Sequence, residues 1–292
     1  MSVKPTNFVV IFCLTYGGGN DMNYLVKKIK HTQLHIKYFV SEVMFFLSPV
    51  KRLKQRQTIL SLKNKYCGKR CFIIGNGPSL KSEDLEILYL HNEISFAANY
   101  ISKIFPQTNW RPTFYSVTDE GHQRRLIDVM SETGADFKIF RKKSYFWTRK
   151  VAGNCIWLNA IGNRKLLLHP LFSENILKNI YAIASVTYIS IQIAVYLGFK
   201  NIYLIGVDNN YAKSINKDGI IREKRGVKSH FYSNDDIKEN VCGAEWEMNI
   251  AYESAKSYAD EHGICIYNAT RGGNLEKFPR VDFDTLFPIY DL

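Results

Sequence analysis

The strongest local signal for chemistry in this 292-residue sequence is a glycine-rich turn made by Gly75, Asn76, Gly77, Pro78 and Ser79. It follows a continuous apolar run and precedes a helical pattern over 82–90. Glycines let the backbone approach a ligand closely, and the N-terminus of a helix attracts anions. The turn therefore predicts a nucleotide site, in which the Asn76 side chain can bind a base or a sugar. The alternative is a tight strand-to-helix turn capped by a serine.

Two aspartates and one histidine have suitable side chains and positions for catalysis. Asp208 closes the apolar run 200–207, and Asp119 closes the run 112–118. Ligands bind at the carboxyl ends of strands in open α/β sheets, although a turn or capping role is the alternative for each aspartate. Facing one pocket, the two carboxylates can hold Mg²⁺ on a triphosphate. His230 lies in a polar loop, where an imidazole can take a proton from a hydroxyl group; an exposed surface role is its alternative.

The elements that must position these side chains follow from the alternation of short apolar runs with helical patterns after residue 69. The predicted strands are 69–75, 93–99, 112–119, 135–140, 155–160, 200–208 and 264–270, and the predicted helices are 82–90, 122–134, 179–198 and 245–263. This order is typical of an α/β fold: a mainly parallel, Rossmann-like sheet with helices on both faces. The stretch 209–240 contains no predicted strand, and we interpret it as a lid of a catalytic domain over 67–292 or as a disordered segment.

Positive charge is concentrated in the first quarter of the chain. Lys and Arg number 39 against 27 Asp and Glu, a net charge of +12, and residues 1–70 hold 13 of these basic residues but only the acids Asp21 and Glu42. Because the rest is nearly neutral and shows no groove-reading motif, we do not expect a nucleic acid as partner. The six cysteines form no C-x-x-C pair and no apolar run is long enough to cross a membrane, which together indicate the cytoplasm.

Residues 1–66 form a basic extension, with a short apolar run at 8–14 and helical spacing over 22–66 that Pro49 interrupts. One interpretation is a helical hairpin packed on the body. The other is a helix lying in an anionic membrane surface, which would make the protein peripheral to the inner face of the cell membrane. Its lipid-facing residues would be Phe39, Phe45, Phe46 and Leu47, and its headgroup-binding residues Lys51, Arg52, Lys54 and Arg56.

The motifs, in this order, resemble the bacterial sialyltransferases of glycosyltransferase family 42 and the wider MptE-like and Maf group. GNGPSL, SFAAN, FYSVTD and the segment from IASVTYIS to IGVDNNY are similar to successive segments of those enzymes, and the resemblance covers about 70–280. The run NAT-x-GG at 268–273 is more similar to the MptE and Maf branch. The sequence departs from the sialyltransferases at two positions, where Val186 replaces a glycine and Ser233 replaces a second histidine. His230 is therefore the histidine of the Ser-His-aromatic segment that is available as a base.

The resemblance implies an inverting, metal-independent glycosyltransferase without a cofactor. Such an enzyme moves an acidic sugar, sialic acid-like or Kdo-like, from a CMP-sugar to a hydroxyl of a bacterial surface glycan or lipid-linked glycan. His230 would be the general base and Asp208 a second catalytic residue. The nucleotide sugar would contact the glycine-rich turn together with Asn99, Ser116, Asp119, Ser185, Tyr211 and Tyr232.

Two other functions remain open at this point. One is an MptE-like pyrophosphokinase that transfers diphosphate from ATP with magnesium, and the other is a noncatalytic assembly protein with a decayed pocket. A homo-oligomer is a further expectation, to which the sequence assigns no interface.

Overall fold

The computed structural model describes residues 19–162, 164–233 and 242–287. The strands of this described chain are β1 (Arg70–Ile74), β2 (Ile94–Ala98), β3 (Phe114–Ser116), β4 (Phe137–Arg141), β5 (Cys155–Leu158), β6 (Ala160–Ile161), β7 (Ile180–Tyr181), β8 (Asn201–Ile205), β9 (Lys213–Ile215), β10 (Ile221–Glu223) and β11 (Cys265–Asn268). The α-helices are α1 (Gly19–Phe46), α2 (Pro49–Leu62), α3 (Ser82–Leu90), α4 (Glu120–Arg125), α5 (Ile127–Glu132), α6 (Tyr145–Thr148), α7 (Val186–Tyr196) and α8 (Glu245–Glu261). Short 3₁₀ helices span Asn99–Gln107, Lys142–Ser144, Arg164–Leu167 and Phe283–Leu286.

A seven-stranded sheet forms the centre of the described chain, in the order β11-β8-β1-β2-β3-β4-β5. All of its neighbouring strands pair in parallel. From β1 the chain moves outward through β2, β3 and β4 to β5, and it then returns to place β8 on the other side of β1. The strand order therefore reverses between β1 and β8, and the carboxyl ends of these two strands border the crevice where such sheets bind ligands.

Alternate side chains of β1 enter two separate cores, one on each face of the sheet. Cys71 and Ile73 join a cluster that includes the apolar helix α7, whereas Phe72 and Ile74 join a cluster that includes α3. All four side chains are buried. A strand covered on both faces reads as a continuous apolar run, which is why the sequence pattern predicted it correctly. The predicted parallel α/β fold, with helices on both faces, is confirmed.

The single long helix predicted over 179–198 is wrong in its first third. Ile180 and Tyr181 form β7, which pairs with β6, and the helix α7 begins only at Val186. Ala184 has a positive φ of 47°, a conformation that no α-helix contains. The apolar residues before Val186 are thus buried as extended chain, and their helical spacing was misleading because a short apolar run fits either element.

The prediction that 209–240 contains no strand is also wrong. β9 and β10 pair as an antiparallel hairpin, whose turn is closed by the side chain of Asn216. Its Oδ1 accepts hydrogen bonds from the backbone N–H groups of Asp218 at 3.0 Å and Ile220 at 2.8 Å. The last part of the predicted lid, 234–240, lies outside the described residues.

Two helices precede the sheet, as predicted, and meet at Pro49, the first residue of α2. Ile59 and Leu62 of α2 are buried in the core, and Phe45 at the end of α1 packs against the rings of Tyr145 and Trp157. The prediction that Phe45 faces lipid is therefore wrong, since only 7% of its surface is exposed. The predicted apolar run 8–14 lies outside the described residues. Within the described residues, the helices are too short or too polar to span a bilayer.

Candidate active site

The glycine-rich turn lies against the end of β8 without space for side chains. The backbone N–H of Gly77 donates a 2.8 Å hydrogen bond to the carbonyl oxygen of Gly206, and that of Gly75 donates a 2.8 Å hydrogen bond to Ile205. A Cβ atom added at Gly77 would collide with the Asp208 carboxylate and the Gly206 carbonyl group. Glycine is thus required here for close approach of two backbone segments, and the turn forms one wall of the crevice between β1 and β8.

Asp208 links the two walls of this crevice. Its buried carboxylate accepts a 2.7 Å hydrogen bond from the hydroxyl group of Ser79. Burial raises the pKa of Asp208, and the Ser79 hydrogen bond opposes that shift. Pro78 and Ser79 were predicted to bind the nucleotide. Within the described chain they do not line either of the two cavities described below, so we assign them to the structure of the turn.

The inner cavity, of about 160 Å³, lies at the carboxyl ends of β1, β2 and β8 and at the N-terminus of α7. Its lining includes eight of the residues selected from the sequence: Gly75, Asn76, Gly77, Asn99, Ser185, Asp208, Tyr211 and His230. These residues are far apart along the chain. The fold brings them together because the sheet aligns the ends of its parallel strands at one edge.

Three asparagines that line the inner cavity carry buried amide oxygens. The Oδ1 atoms of Asn76, Asn99 and Asn209 have no hydrogen-bond partner among the described residues. The amide orientation is fixed in two of them, because Asn76 donates to the carbonyl oxygen of Ala98 at 3.0 Å and Asn209 donates to Asn249 at 2.9 Å. A buried acceptor without a donor destabilises the protein, so these oxygens favour a ligand rich in hydroxyl or amino groups.

The backbone around the inner cavity is strained at three residues that are not glycine. Asn99, Ala184 and Asn209 all have positive φ angles, of 53°, 47° and 49°, and all three line the cavity. Such conformations are most costly for a residue such as alanine and are concentrated at functional sites. The strain at Ala184 places Ser185 as the N-cap of α7, where its hydroxyl accepts a hydrogen bond from the N–H of Thr187 at 3.2 Å. The N-terminus of α7 therefore faces the cavity and can bind an anion.

The outer cavity, of about 540 Å³, opens from the inner one. The two share the lining residues Asn76, Asn99, Ala184, Ser185, Val186, Tyr211, His230 and Met248. The lining found only in the outer cavity includes Thr118, Asp119, His122, Arg141, Tyr232 and Cys242. The site is thus a two-chamber cleft, in which the inner chamber has amide oxygens and the outer one has both charged and aromatic side chains.

His230 lies where the two chambers meet. Its ring stacks on that of Tyr232, with ring centroids 4.9 Å apart, and the edge of the Tyr211 ring approaches it at 6.2 Å. The next residue, Phe231, donates a backbone hydrogen bond of 3.0 Å to the carbonyl oxygen of Asn76. This bond fixes the histidine segment to the glycine-rich turn. Burial raises the pKa of both tyrosines, so that their phenol groups stay protonated and can donate hydrogen bonds.

Two further predicted residues do not line the inner chamber. Ser116 is fully buried at the end of β3 and lines neither chamber of the described cleft. Asp119 caps α4 by accepting a 3.0 Å hydrogen bond from the N–H of His122, and it lines the outer chamber alone. The magnesium alternative requires Asp119 and Asp208 to face one pocket. The structure places them in different chambers instead. Among the described residues, no group of three or more His, Cys, Asp and Glu side chains is placed to hold a metal ion.

Sequence reasoning missed several residues of the cleft, above all Arg141 and His122 in the outer chamber and Asn209 in the inner one. Arg141 ends β4, and the rule that selected Asp119 would have selected it as well. Burial lowers the pKa of His122, although the nearby Asp119 opposes that shift. Asn209 directly follows the predicted Asp208, and its positive φ is typical of asparagine rather than of most other residues.

Comparison with known proteins gives one family and one solved structure. The model of the family described as 6-hydroxymethylpterin diphosphokinase MptE-like matches residues 46–214, which is more than half of the chain. The structure of the MAf glycosyltransferase from Magnetospirillum magneticum AMB-1 matches with a TM-score of 0.49 and 18% sequence identity. That match covers 81% of this chain but only 39% of the other, so this chain spans about two fifths of its length. No curated protein matches the chain.

Proposed function

The chain belongs to the MptE-like family, and from the geometry of its cleft we propose that it is a glycosyltransferase with a nucleotide-sugar donor in the inner chamber and an acceptor in the outer one. The observation that carries this proposal is the position of His230, which lines both chambers. An acceptor hydroxyl that attacks a bound donor loses its proton, and a base at the point where the two substrates meet can take it. His230 and Tyr232 lie beyond the residues matched by the family model, so the assignment depends on geometry.

The chemistry of the inner chamber supports a nucleotide as the part of the donor bound there. The amide oxygens of Asn76, Asn99 and Asn209 can accept hydrogen bonds from ribose hydroxyls and from the amino group of cytosine. The N-terminus of α7, capped by Ser185, offers backbone N–H groups and a positive dipole end to a phosphate. The same features fit the CMP-sugar that the sequence motifs imply.

The outer chamber supports an acidic sugar and an acceptor hydroxyl. Arg141 lines this chamber, and a guanidinium group is the natural partner of a sugar carboxylate. His230 takes the proton of the acceptor hydroxyl as its oxygen bonds to the anomeric carbon. The bond from that carbon to the phosphate oxygen breaks with its electron pair, and CMP leaves. Attack opposite to the leaving group inverts the anomeric configuration.

The leaving phosphate needs hydrogen-bond donors as negative charge develops on it. The hydroxyl of Tyr211 donates to the sulfur of Met248, 3.6 Å away. A thioether sulfur is a weak acceptor, so a phosphate oxygen can replace it. Tyr232 stacks on His230 and lines the outer chamber. We assign Tyr211 and Tyr232 as donors to the departing phosphate. Asp208 is assigned to positioning, because Ser79 already engages its carboxylate.

Ligand-dependent thermal stability tests this function. We expect CMP and CMP-sugars to raise the melting temperature, and a CMP-sugar to be turned over equally well with EDTA present. Stabilisation by ATP with Mg²⁺, but not by cytidine nucleotides, would instead support the diphosphokinase activity after which the family is described. Absence of a shift with every nucleotide would leave the noncatalytic alternative.

A further inference from the structure

An exposed apolar surface lies outside the cleft, at the elbow where α1 meets α2. Six large apolar side chains there are between 57% and 77% exposed, and we call them the elbow patch: Ile36, Phe39, Phe46, Leu47, Val50 and Leu53. They differ from Phe45 and Ile59 of the same two helices, which are buried in the core. A group of exposed apolar side chains on two consecutive helices is unusual for a protein surface that meets only water.

Exposed basic side chains accompany the elbow patch in the first two turns of α2. The basic rim consists of the exposed residues Lys51, Arg52, Lys54 and Arg56. Arg52 places its guanidinium 4.7 Å from the centre of the Phe46 ring and donates a 2.7 Å hydrogen bond to the carbonyl oxygen of Phe46. The body adds Arg149, which lies 5.8 Å from the ring of the exposed Phe146. Apolar and cationic groups therefore share one surface, as in helices that lie in a membrane interface.

We propose that the elbow patch and the basic rim together dock the protein on the surface of an anionic lipid bilayer. Charge complementarity selects this occupant, because residues 36–62, which span the elbow patch, hold five Lys and Arg residues against the single acid Glu42. A second copy of the chain fits poorly, since a two-fold interface would bring each basic rim close to its own copy. The inference is independent of the reaction proposed for the cleft.

The docking surface is physically connected to the outer chamber. Arg141 lines that chamber, and the following Lys142 lies 5.5 Å from the ring of Phe45 in α1. Phe146 in α6 donates a backbone hydrogen bond of 3.0 Å to the hydroxyl oxygen of Ser41, also in α1. A short segment, 141–148, thus joins a wall of the cleft to the helices of the elbow.

Vesicle binding by the full-length protein tests the inference. Removing residues 1–66 is not a suitable test, because Ile59 and Leu62 are part of the core and their loss would disturb the fold. We expect co-sedimentation with vesicles that contain phosphatidylglycerol, and little with pure phosphatidylcholine. The triple substitution of Phe39, Phe46 and Leu47 by Ser should weaken this binding about 100-fold, through lost apolar burial. The double substitution Lys54→Glu and Arg56→Glu should weaken it about 30-fold, and salt should weaken wild-type binding as well.

Matched variants on the body serve as controls. Leu168 and Ile220 are similarly exposed, so the double substitution to Ser removes apolar surface away from the elbow. Lys178→Glu with Lys217→Glu reverses two exposed charges of the body. Both controls should bind vesicles as the wild type does. Equal losses in control and elbow variants, or wild-type levels in the elbow variants, would overturn the inference. So would a vesicle-independent dimer that the elbow substitutions dissociate, because the patch would then be an interface between copies.

Discussion

Ser79 donates a hydrogen bond of 2.7 Å to the buried carboxylate of Asp208 and thereby joins the turn after β1 to the end of β8. The two residues lie on opposite sides of the point where the strand order reverses. Their contact therefore maintains the width of the crevice into which the inner chamber opens. Asp208 is held by neighbouring groups on the turn and is itself part of the chamber lining.

Removal of the Ser79 hydroxyl should destabilise the protein. In Ser79→Ala, the buried Asp208 carboxylate loses a donor, and we expect the free energy of unfolding to fall by about 1.5–3 kcal/mol. Urea denaturation measures this change. Ser82→Ala is the matched control, because the Ser82 hydroxyl donates a 3.2 Å hydrogen bond to the neighbouring, exposed Glu83, and its loss should change stability little. Equal effects of the two substitutions would contradict the role given to the Ser79 contact.

The pH dependence of stability should carry a contribution from Asp208. Burial raises its pKa above the ordinary value of 3.8, so the folded protein retains this proton at pH values where the unfolded chain has released it. The free energy of unfolding should therefore fall as pH rises from 3.8 toward the raised pKa, and Asp208 should contribute no further slope above it. Asp208→Asn removes this slope. A wild-type-minus-variant difference that rises with pH over that window would contradict the assignment.

Nucleotide binding should depend on the absence of a side chain at position 77. In Gly77→Ala, the added methyl group would overlap the Asp208 carboxylate and the Gly206 carbonyl oxygen, so the turn must move out of the crevice. We expect the thermal shift produced by CMP to disappear. Gly272→Ala is the control, because a Cβ there meets open space. If Gly77→Ala kept the full CMP-dependent shift, the glycine-rich turn would not be the nucleotide site.

Catalysis should depend on the His230 imidazole more than nucleotide binding does. Loss of a general base lowers kcat by about 10² to 10⁴-fold, and we expect a loss of this size for His230→Ala in a transfer assay with a CMP-sugar donor. The CMP-dependent thermal shift should persist, because the amide oxygens and the helix N-terminus remain. His169→Ala, at an exposed position, should behave as the wild type. Wild-type turnover by His230→Ala would rule out the assigned base.

The sequence allowed prediction of the strands of the central sheet because they are apolar runs that end at a polar or glycine-containing turn, and the inner strands β1, β2 and β3 are buried on both faces. It could also be inferred from the sequence that Asn76, Asn99 and Asp208 follow strands, and the parallel sheet then places them at one edge. The resemblance to the MptE-like group, found from the motifs, is confirmed by the family match.

Other features could not be predicted because they depend on contacts distant in sequence. Nothing local indicates that Ala184 adopts a positive φ, or that the chain before Val186 pairs with β6 instead of continuing α7. The position of Arg141 in the outer chamber depends on the place of β4 in the strand order. The β9–β10 hairpin is different, because its Asp218-Gly219 pair is a turn signal that the prediction overlooked among polar residues.

The pairing of β8 with β1 also has a consequence for how the protein folds. About 130 residues separate these strands, and loops of this length close slowly compared with local contacts. A growing chain can therefore complete β1 to β5 and possess the entire glycine-rich turn while it still lacks a binding cleft. The cleft forms only when the last third of the chain returns to the centre of the sheet. A nucleotide that binds in the cleft would therefore promote only the final folding step, because earlier intermediates do not contain its binding site.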